Sequence, residues 1–495
     1  MTAGNLGRRT FLKGVGLGAA GMPAAWLLGA ASPATPKARP NILWIYVEDM
    51  NDWLGCYGEK LIRTPHLDAL AARGVRFDRA FMPAAVCSAT RSAIITGTMQ
   101  TTLGLHNHRS SRASFRRQSM GEGHDAIRLP EGVRTIPELF RAAGYYTFNE
   151  GKEDYNFVWN VEDLYDRKGK RMGFQGAADG SEWSGRKPNQ PFFGQIQLRG
   201  GKSNPKKKLV EPSKVIVPPY YPDHPLVREE VAHHYDCIAQ TDGEVGQIVA
   251  KLKADGLLDS TVVFFFTDHG FKMLRHKQFL YEGGIKVPLI AAGPPALAGM
   301  LKPGSVRKDL VSGIDIGVTS LALAGIDVPE HMEGRDVLAP GYKPRRYVIS
   351  ARDRCDYTIE RIRAVRTERY KYLRNFLTDR PFMQPQYRDG WPVTKLLRQM
   401  AAEGKLDNAQ MQFFGPAKPP EELYDLAADP HEIHNLAGDP ASAKVLQRHR
   451  DILQRWIEQT HDKGQQPESD AGLRAVLKRW GKSCVNPEYD RVRGK

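Results

Sequence analysis

Apolar runs without polar interruption alternate with amphipathic segments over the first two thirds of the chain. The run 41–47 (NILWIYV) is typical of a strand that a parallel sheet buries on both faces. Thr64-Pro65 predicts a helix over 67–72, with proline at the first helical position. The same alternation recurs at 135–149 and at 245–267. We therefore predict an α/β fold, a mostly parallel central sheet with helices on both faces.

The pattern changes near residue 340. Short strand patterns precede an amphipathic helix at 443–460, which predicts a smaller C-terminal antiparallel sheet with a helix. Before that point, the segment 158–225 is rich in Gly, Pro, Lys and Asn and predicts a long loop region around a strand at 191–197. The predicted parts are a signal at 1–34, the α/β domain at 40–340, the smaller α+β domain at 341–470 and a C-terminal tail at 471–495.

The first 34 residues have the pattern of an export signal. The sequence RRTFLK at 8–13 precedes a weakly apolar, Gly- and Ala-rich stretch that ends in small residues. This predicts a twin-arginine signal, read by the twin-arginine export machinery and cleaved near Ala31 or Ala34. A membrane anchor fits less well because the stretch contains Pro23 and is only marginally apolar. We expect an exported protein, periplasmic or secreted, without stable membrane insertion after cleavage.

Composition adds a preference about partners. The 495 residues are 41% hydrophobic and 26% charged, which is ordinary for a globular chain, and the net charge is +15. That charge favours a polyanion, for which nucleic acid, acidic polysaccharide and an anionic membrane surface all qualify. Zinc-finger, RNP and helix-turn-helix patterns are absent from the sequence, so we do not expect nucleic acid. Five widely spaced cysteines without a CxxC pair leave at least one thiol unpaired.

Potential metal ligands follow two of the predicted strands. Glu48 and Asp49 come directly after 41–47, and Asp268 and His269 come directly after 261–267. Ligands of open α/β sheets lie beyond the carboxyl ends of the strands, where these side chains would converge on one cation. A strand that simply meets a polar loop is the alternative for each acid taken singly. Three carboxylates favour calcium, whereas the imidazole suits manganese or zinc better, so we expect one divalent metal, calcium before manganese.

Cys87 begins a predicted helix in the sequence Cys87-Ser88-Ala89-Thr90-Arg91. Backbone N–H groups at a helix start attract anions and lower the pKa of a thiol there. Arg91 lies about one turn further on the same face and can pair with the thiolate or with an anionic substrate. The residues alone leave three interpretations open: a thiolate nucleophile, a redox cysteine and an inert buried thiol.

Together, these motifs resemble the type I sulfatases of the alkaline phosphatase superfamily. The sequence 87–91 is similar to the family signature whose cysteine is oxidised to formylglycine. The carboxyl-terminal segment 422–436 also resembles sulfatases, including the heparan N-sulfatase branch. The other matching segments are 40–49 (first strand and metal acids), Gly151-Lys152 (active-site lysine), 267–270 (second metal pair) and Lys277 with 281–288 (second lysine motif).

The resemblance implies hydrolysis of sulfate monoesters or sulfamates, with sulfated glycans as substrates. One hydroxyl of the hydrated formylglycine attacks sulfur in this family, and the other later loses its proton so that the adduct collapses. A separate maturation enzyme would make the formylglycine. The implied metal ligands are Glu48, Asp49, Cys87, Asp268 and His269, and the implied catalytic cations are Arg91, Lys152 and Lys277.

Two alternatives remain open on the sequence. One is a phosphonate monoester or phosphodiester hydrolase of the same superfamily. The other is a non-catalytic glycan-binding protein in which Cys87 stays a thiol.

Two departures from the family concern proton transfer. Asp154 stands two residues after Lys152, where many sulfatases have histidine, and the sequence LRGGK at 198–202 lacks the histidine that is common after that strand. Asp154 and Lys202 are therefore candidate catalytic replacements. His106, His108, Arg199 and His276 are candidates for substrate binding, and for the histidines an ordinary loop position is an equally good interpretation.

Overall fold

A computed structural model describes residues 39–109, 127–169, 172 and 182–494 of the protein. The predicted export signal at 1–34 lies outside the described residues. The first part of the described chain contains strands β1 (Asn41–Val47), β2 (Gly74–Phe81), β3 (Tyr146–Glu150), β4 (Arg167–Gly169), β5 (Phe192–Leu198), β6 (Thr261–Thr267), β7 (Lys286–Ala292) and β8 (Ser305–Ser312), and helices α1 (Pro65–Ala72), α2 (Cys87–Thr96), α3 (Ile136–Ala142), α4 (Val161–Leu164), α5 (Pro225–Ala254), α6 (Glu282–Ile285) and α7 (Asp315–Leu323).

These eight strands form one sheet in the order β4-β3-β5-β1-β6-β7-β2-β8. Neighbours pair in parallel except at β7, which runs antiparallel to both β6 and β2. The predicted mostly parallel sheet is therefore confirmed. β7 is antiparallel because the connection 268–285 stays at the carboxyl edge of β6, where Gly270 donates its backbone N–H to Gly284 O at 3.0 Å, so β7 begins at the edge where β6 ends.

Helices cover both faces of the sheet, as predicted. The alternating side chains of β1 divide between two cores: Leu43 and Ile45 pack with residues of α1 and α5, and Ile42 and Trp44 pack with residues of α3 and α7. This two-sided burial explains why β1 is continuously apolar after its first residue, Asn41. The helix predicted in 245–257 is the last part of α5, which begins at Pro225 behind the N-cap His224.

A second sheet follows, as predicted, in the order β12-β11-β10-β9 with antiparallel pairing. Helix α10 packs on it through Leu446, Leu453 and Trp456. The residues predicted as a tail include a helix that packs near Tyr357. The elements of this part are β9 (Val348–Arg352), β10 (Ile362–Arg366), β11 (Tyr370–Asn375), β12 (Glu421–Asp425), α8 (Pro392–Ala402), α9 (Asn408–Met411), α10 (Ala443–Thr460), α11 (Asp470–Trp480) and α12 (Asp490–Arg493).

Among the described residues, the structure has no helix with the length and apolar character needed to cross a membrane.

Candidate active site

The site forms where β1, β6 and α2 meet at the carboxyl edge of the large sheet. β1 and β6 are parallel neighbours with Val47 opposite Thr267, so the residues that follow them lie side by side. Asp49 donates its backbone N–H to Asp268 Oδ1 at 3.0 Å, which links the two strand ends. Cys87 is the first residue of α2 and is 1% exposed. Its Sγ lies 3.3 Å from His269 Nε2, 3.8 Å from Glu48 Oε2 and 4.0 Å from Asp49 Oδ1.

Asp49 has a left-handed backbone conformation, with φ +50°. Side chains of consecutive residues in an extended strand point to opposite faces, whereas Glu48 and Asp49 both face Cys87. The left-handed conformation costs about 1 kcal/mol or more for a residue other than glycine. The fold stabilises this strained turn at the point where two adjacent carboxylates must share one site.

Four basic side chains surround the acids and the thiol. Arg91 Nε donates to Glu48 Oε1 at 3.1 Å, and its guanidinium lies 4.1 Å from the ring centre of Tyr46. Lys152 Nζ donates to Glu48 Oε2 at 2.7 Å. Two further lysines reach the thiol, each 3.5 Å from Cys87 Sγ; they are Lys202 and Lys277. Lys277 Nζ also lies 2.8 Å from Asp49 Oδ2.

Gly200 and Gly201 bring Lys202 into this group. A Cβ atom on Gly200 would lie 2.2 Å from the carbonyl oxygen of Glu48, and one on Gly201 would lie 2.2 Å from the carbonyl oxygen of Asp49. Gly200 also has φ +51°, which favours glycine. The loop after β5 can therefore lie directly on the backbone of the acid pair. Lys202 then pairs with Glu48 and lies 3.1 Å from Asp49 Oδ1, while 35% of its side chain stays exposed.

The charges of the cluster shift its titrating groups in different directions. Burial and Glu48 raise the pKa of the Cys87 thiol, but the nearby lysines outweigh both, so this pKa lies well below its ordinary value. Burial, reinforced by Glu48, raises the pKa of Asp268 well above its usual range. Burial alone would lower the pKa of Lys202, but Asp49 and Cys87 raise it well above the ordinary value. An anionic sulfur and a cationic Lys202 are thus the favoured forms.

The donor set fits a divalent cation. Ligand atoms of Asp49, Cys87, Asp268 and His269 all lie within 4.8 Å of one another. Asp268 Oδ2 is buried and accepts no hydrogen bond from the described residues, so it is available as a ligand. The carboxylate of Glu48 borders this set and is engaged by Arg91, Lys152 and Lys202.

The remaining predicted residues lie at different distances from the thiol. Asp154 is near the group, with Oδ2 3.1 Å from Lys152 Nζ. His108 is buried behind α2, and its Nδ1 is 2.7 Å from Ser88 Oγ.

The other three have no contact with Cys87 among the described residues. His106 lines a separate cavity with Asp353 and Glu468, and Arg199 is exposed. His276 is 3.0 Å from Tyr220 Oη, and burial lowers its pKa to about 3. The structure therefore does not bring His106, Arg199 or His276 to the thiol.

The sequence pattern missed a residue of the carboxyl-terminal part that supports the site from behind the loop that carries Lys277. Arg388 is fully buried, and its guanidinium donates to the carbonyl oxygens of Met273 and Lys277 at 3.2 and 3.0 Å and to Gln278 Oε1 at 2.8 Å. Gln278 in turn donates its backbone N–H to Ala85 O at 2.7 Å, just before Cys87. Arg388 thus holds the loop that carries Lys277. It also donates to nearby Gln386 Oε1 at 3.0 Å, but no local signal marks its role, because the loop residues that it holds lie more than a hundred residues away in the chain.

The comparisons with known proteins agree with this geometry. The sulfatase family model matches residues 40–326. The chain belongs to the sulfatase family. Its members are sulfuric ester hydrolases, and the family implies formylglycine and a divalent metal. An ulvan-active sulfatase of Formosa agariphila is 31% identical over 91% of this chain and 79% of its own length. Human N-sulphoglucosamine sulphohydrolase is 25% identical over 86% of this sulfatase and 91% of its own length, which agrees with the resemblance to the heparan N-sulfatase branch.

Solved structures confirm the fold. A 2-O GAG sulfatase superposes with a TM-score of 0.62 at 21% identity, covering 88% of this sulfatase and 96% of that chain. The phosphonate monoester hydrolase of Agrobacterium radiobacter superposes with a TM-score of 0.60 at 20% identity, covering 85% and 96%. The sulfatase therefore has the alkaline-phosphatase-like fold that the sequence predicted.

Proposed function

We propose that this sulfatase hydrolyses sulfate esters or sulfamates of acidic glycans and that the residue at position 87 is the nucleophile. The observation that carries the proposal is the placement of Cys87 Sγ at the start of α2, between His269 and the nitrogens of Lys202 and Lys277 at 3.3 to 3.5 Å. A helix start with convergent cations suits a sulfate group that must be held beside a nucleophile.

We propose these roles for the residues of the site. When present, the formylglycine at position 87 supplies the nucleophilic oxygen and the metal supplies Lewis acidity. The metal ligands are Glu48, Asp49, Asp268 and His269, with position 87, and calcium is the favoured ion because three of the four other side chains are carboxylates. Arg91 and Lys152 fix the carboxylate of Glu48, and Lys277 and Lys202 lie where they stabilise negative charge on the transferring group.

Lys202 is our candidate for the group that protonates the leaving oxygen or nitrogen. Its Nζ lies 3.5 Å from Cys87 Sγ, yet 35% of its side chain is exposed, so it reaches from the buried nucleophile toward the substrate side. Asp154 is less exposed and lies against Lys152, which suits a role in orienting Lys152. Among the described histidines, only His269 lies within hydrogen-bonding distance of Cys87 Sγ.

The proposed substrate is a sulfated polysaccharide. One relative is named for activity on ulvan and another for sulphoglucosamine, and a net charge of +15 attracts such polyanions. We further propose that residues 40–340 carry the chemistry and that 341–470 complete the site from one side. We also propose that residues 1–34 are a twin-arginine export signal and that a separate maturation enzyme converts Cys87 to formylglycine.

Side-by-side assays test the function. We expect release of p-nitrophenol from p-nitrophenyl sulfate, with much slower turnover of p-nitrophenyl phenylphosphonate, by enzyme from its own host. Mass spectrometry of the peptide that contains Cys87 should show formylglycine in the active fraction, and Cys87→Ala should abolish turnover without changing the melting temperature by more than about 2 °C. Faster phosphonate hydrolysis would support the related hydrolase instead, and full activity with only unmodified cysteine would refute the mechanism.

Chelation tests the metal separately. Removal of divalent ions should abolish sulfate release, and calcium should restore it better than manganese. Full activity in protein shown to be metal-free by elemental analysis would exclude the metal role.

A further inference from the structure

A basic cleft lies between the two sheets, apart from the ion cluster around Cys87. One cavity of about 600 Å³ is bounded by the edge strand β8, the turn between β10 and β11, and helix α10. A second cavity of about 430 Å³ adjoins it, and the two share Pro344, Arg345 and Arg346. We call these two cavities together the interface cleft. None of their lining residues belongs to the ion cluster around Cys87.

The interface cleft carries positive charge that the protein does not neutralise. Six basic and two acidic side chains line the larger cavity. Three of the basic side chains pair with carboxylates, including Arg345 with buried Asp315. The others are exposed and form no ion pair or side-chain hydrogen bond with any described residue; they are Lys308, Arg346 and Arg448. Arg335 in the smaller cavity is also exposed, and its side chain forms no ion pair or hydrogen bond with any described residue.

Aromatic side chains lie beside these charges. Half-buried Tyr370 lines the larger cavity and half-buried Tyr347 lines the smaller one, while Trp456, which also borders the smaller cavity, is only 8% exposed and packs in the core. Apolar ring faces next to cationic groups suit a sulfated sugar, whose ring C–H groups contact aromatic faces while its sulfates accept charge-assisted hydrogen bonds. Each cavity has the volume of a small-molecule pocket, whereas a nucleic acid duplex or a membrane would need a longer or flatter basic surface.

We propose that the interface cleft is a second binding site for sulfated oligosaccharide, which holds the polymeric substrate while another part of it occupies the catalytic site. This inference rests on the proposed function, because it takes the polyanion to be the glycan substrate. Two binding sites on one polymer raise its effective concentration at the catalytic site. The cleft should therefore affect long substrates and leave small aryl sulfates unaffected.

The test compares two triple charge reversals of equal size. One is Lys308→Glu, Arg346→Glu and Arg448→Glu in the cleft. The control is Lys206→Glu, Lys207→Glu and Lys208→Glu, three exposed lysines in another loop. Binding of a fluorescein-labelled heparin octasaccharide is measured by anisotropy at low and physiological salt. The cleft variant should bind at least about tenfold more weakly, and the control should change less than about threefold.

Equal losses in the two variants, or no loss in the cleft variant, would overturn the proposal. Sodium sulfate that displaces the octasaccharide fully at an ionic strength matched with chloride would indicate an anion site and would also overturn it. So would a short DNA duplex that binds as tightly and depends on the same three residues. If the charge reversals prevent folding, the neutral variants Lys308→Gln, Arg346→Gln and Arg448→Gln should give a smaller loss in the same direction.

Kinetics separate this proposal from the proposed function. The cleft variant should keep kcat/KM for p-nitrophenyl sulfate while its KM for polymeric substrate rises. If the unaltered enzyme released no sulfate at all, the proposed function would fail, but the binding comparison would still decide whether the cleft holds glycan.

Discussion

Lys202 reaches the nucleophile only because two glycines precede it. The close approach of Gly200 and Gly201 to the carbonyl oxygens of Glu48 and Asp49 fixes the loop, and the lysine extends from there to Cys87. A larger residue at either position would have to move the loop by more than 1 Å to restore ordinary contact distances. Backbone packing thus brings to the thiol the lysine that we propose as the replacement for the usual histidine.

Replacement of Lys202 should distinguish protonation from binding. We expect Lys202→Ala to lower kcat/KM about 100-fold for alkyl or sugar sulfates, whose leaving groups need a proton, and less than about tenfold for p-nitrophenyl sulfate. The measurement is kcat/KM over a series of sulfates with increasing leaving-group pKa. Lys206→Ala, an exposed lysine of the same loop region, is the matched control. Equal losses across the series would make Lys202 a binding residue.

At the scale of elements, a residue of the carboxyl-terminal part, Arg388, fixes the loop between β6 and α6. Arg388 is 0% exposed and has no carboxylate partner among the described residues, so its hydrogen bonds to loop carbonyls are its main compensation for burial. These bonds fix the backbone at Lys277. The arginine acts on the site through the position of that lysine.

We expect Arg388→Gln to lower kcat about tenfold or more for every sulfate, because Lys277 loses its fixed position. KM for p-nitrophenyl sulfate should change much less than kcat. Arg398→Gln is the matched control, since Arg398 bonds to carbonyls of 383 and 384 and to Asp389 but not to the loop. Arg388→Lys should recover part of kcat. Unchanged kcat in Arg388→Gln, with a normal melting temperature, would remove this role.

The elements that follow local patterns were predictable, and those that depend on distant contacts were not. β1 and α10 match their predicted bounds of 41–47 and 443–460. A strand buried on both faces leaves a continuous apolar run in the sequence, and a helix buried on one face leaves an amphipathic period. The reversal of β7 depends on the path of the chain after β6, and the hydrophobic pattern of the sequence contains no information about that path. Motif positions anticipated Lys202 near the thiol, whereas Arg388 depends on packing between two sheets.

At the scale of the whole molecule, Glu282, whose side chain is 18% exposed, joins helix α6 to the small sheet through ion pairs with two more deeply buried basic residues. Glu282 in α6 lies 2.8 Å from Lys371 Nζ in β11 and 3.0 Å from Arg366 Nε in β10. Burial would raise the pKa of Glu282, but Lys371 and Arg366 outweigh it and lower the pKa to about 2. Glu432 shares Lys371, and burial raises its pKa, so its contribution to acid stability has the opposite sign.

The lowered pKa of Glu282 stabilises the fold above the ordinary glutamate pKa, and this stability is lost as pH falls through about 4.5 toward 2. Glu282→Gln should lower the free energy of unfolding by about 3 kcal/mol near neutral pH, because it leaves Lys371 with less compensation. The difference from the unaltered protein should shrink on the acid side. Urea unfolding at several pH values measures both effects, and Glu131→Gln, at an exposed site, is the control. A pH-independent difference would contradict this assignment.

The contacts of Arg388 also bear on how such enzymes can recombine. The residues around the thiol all precede Gln278, yet the loop that presents Lys277 takes its shape from an arginine beyond β11. A chimera that joins this chain's large sheet to the small sheet of another sulfatase could fold correctly in both halves and still misplace the lysine. Recombination between subfamilies should therefore yield inactive enzymes unless the incoming half supplies an arginine that holds the Lys277 loop in the same way. The two halves should then be inherited together.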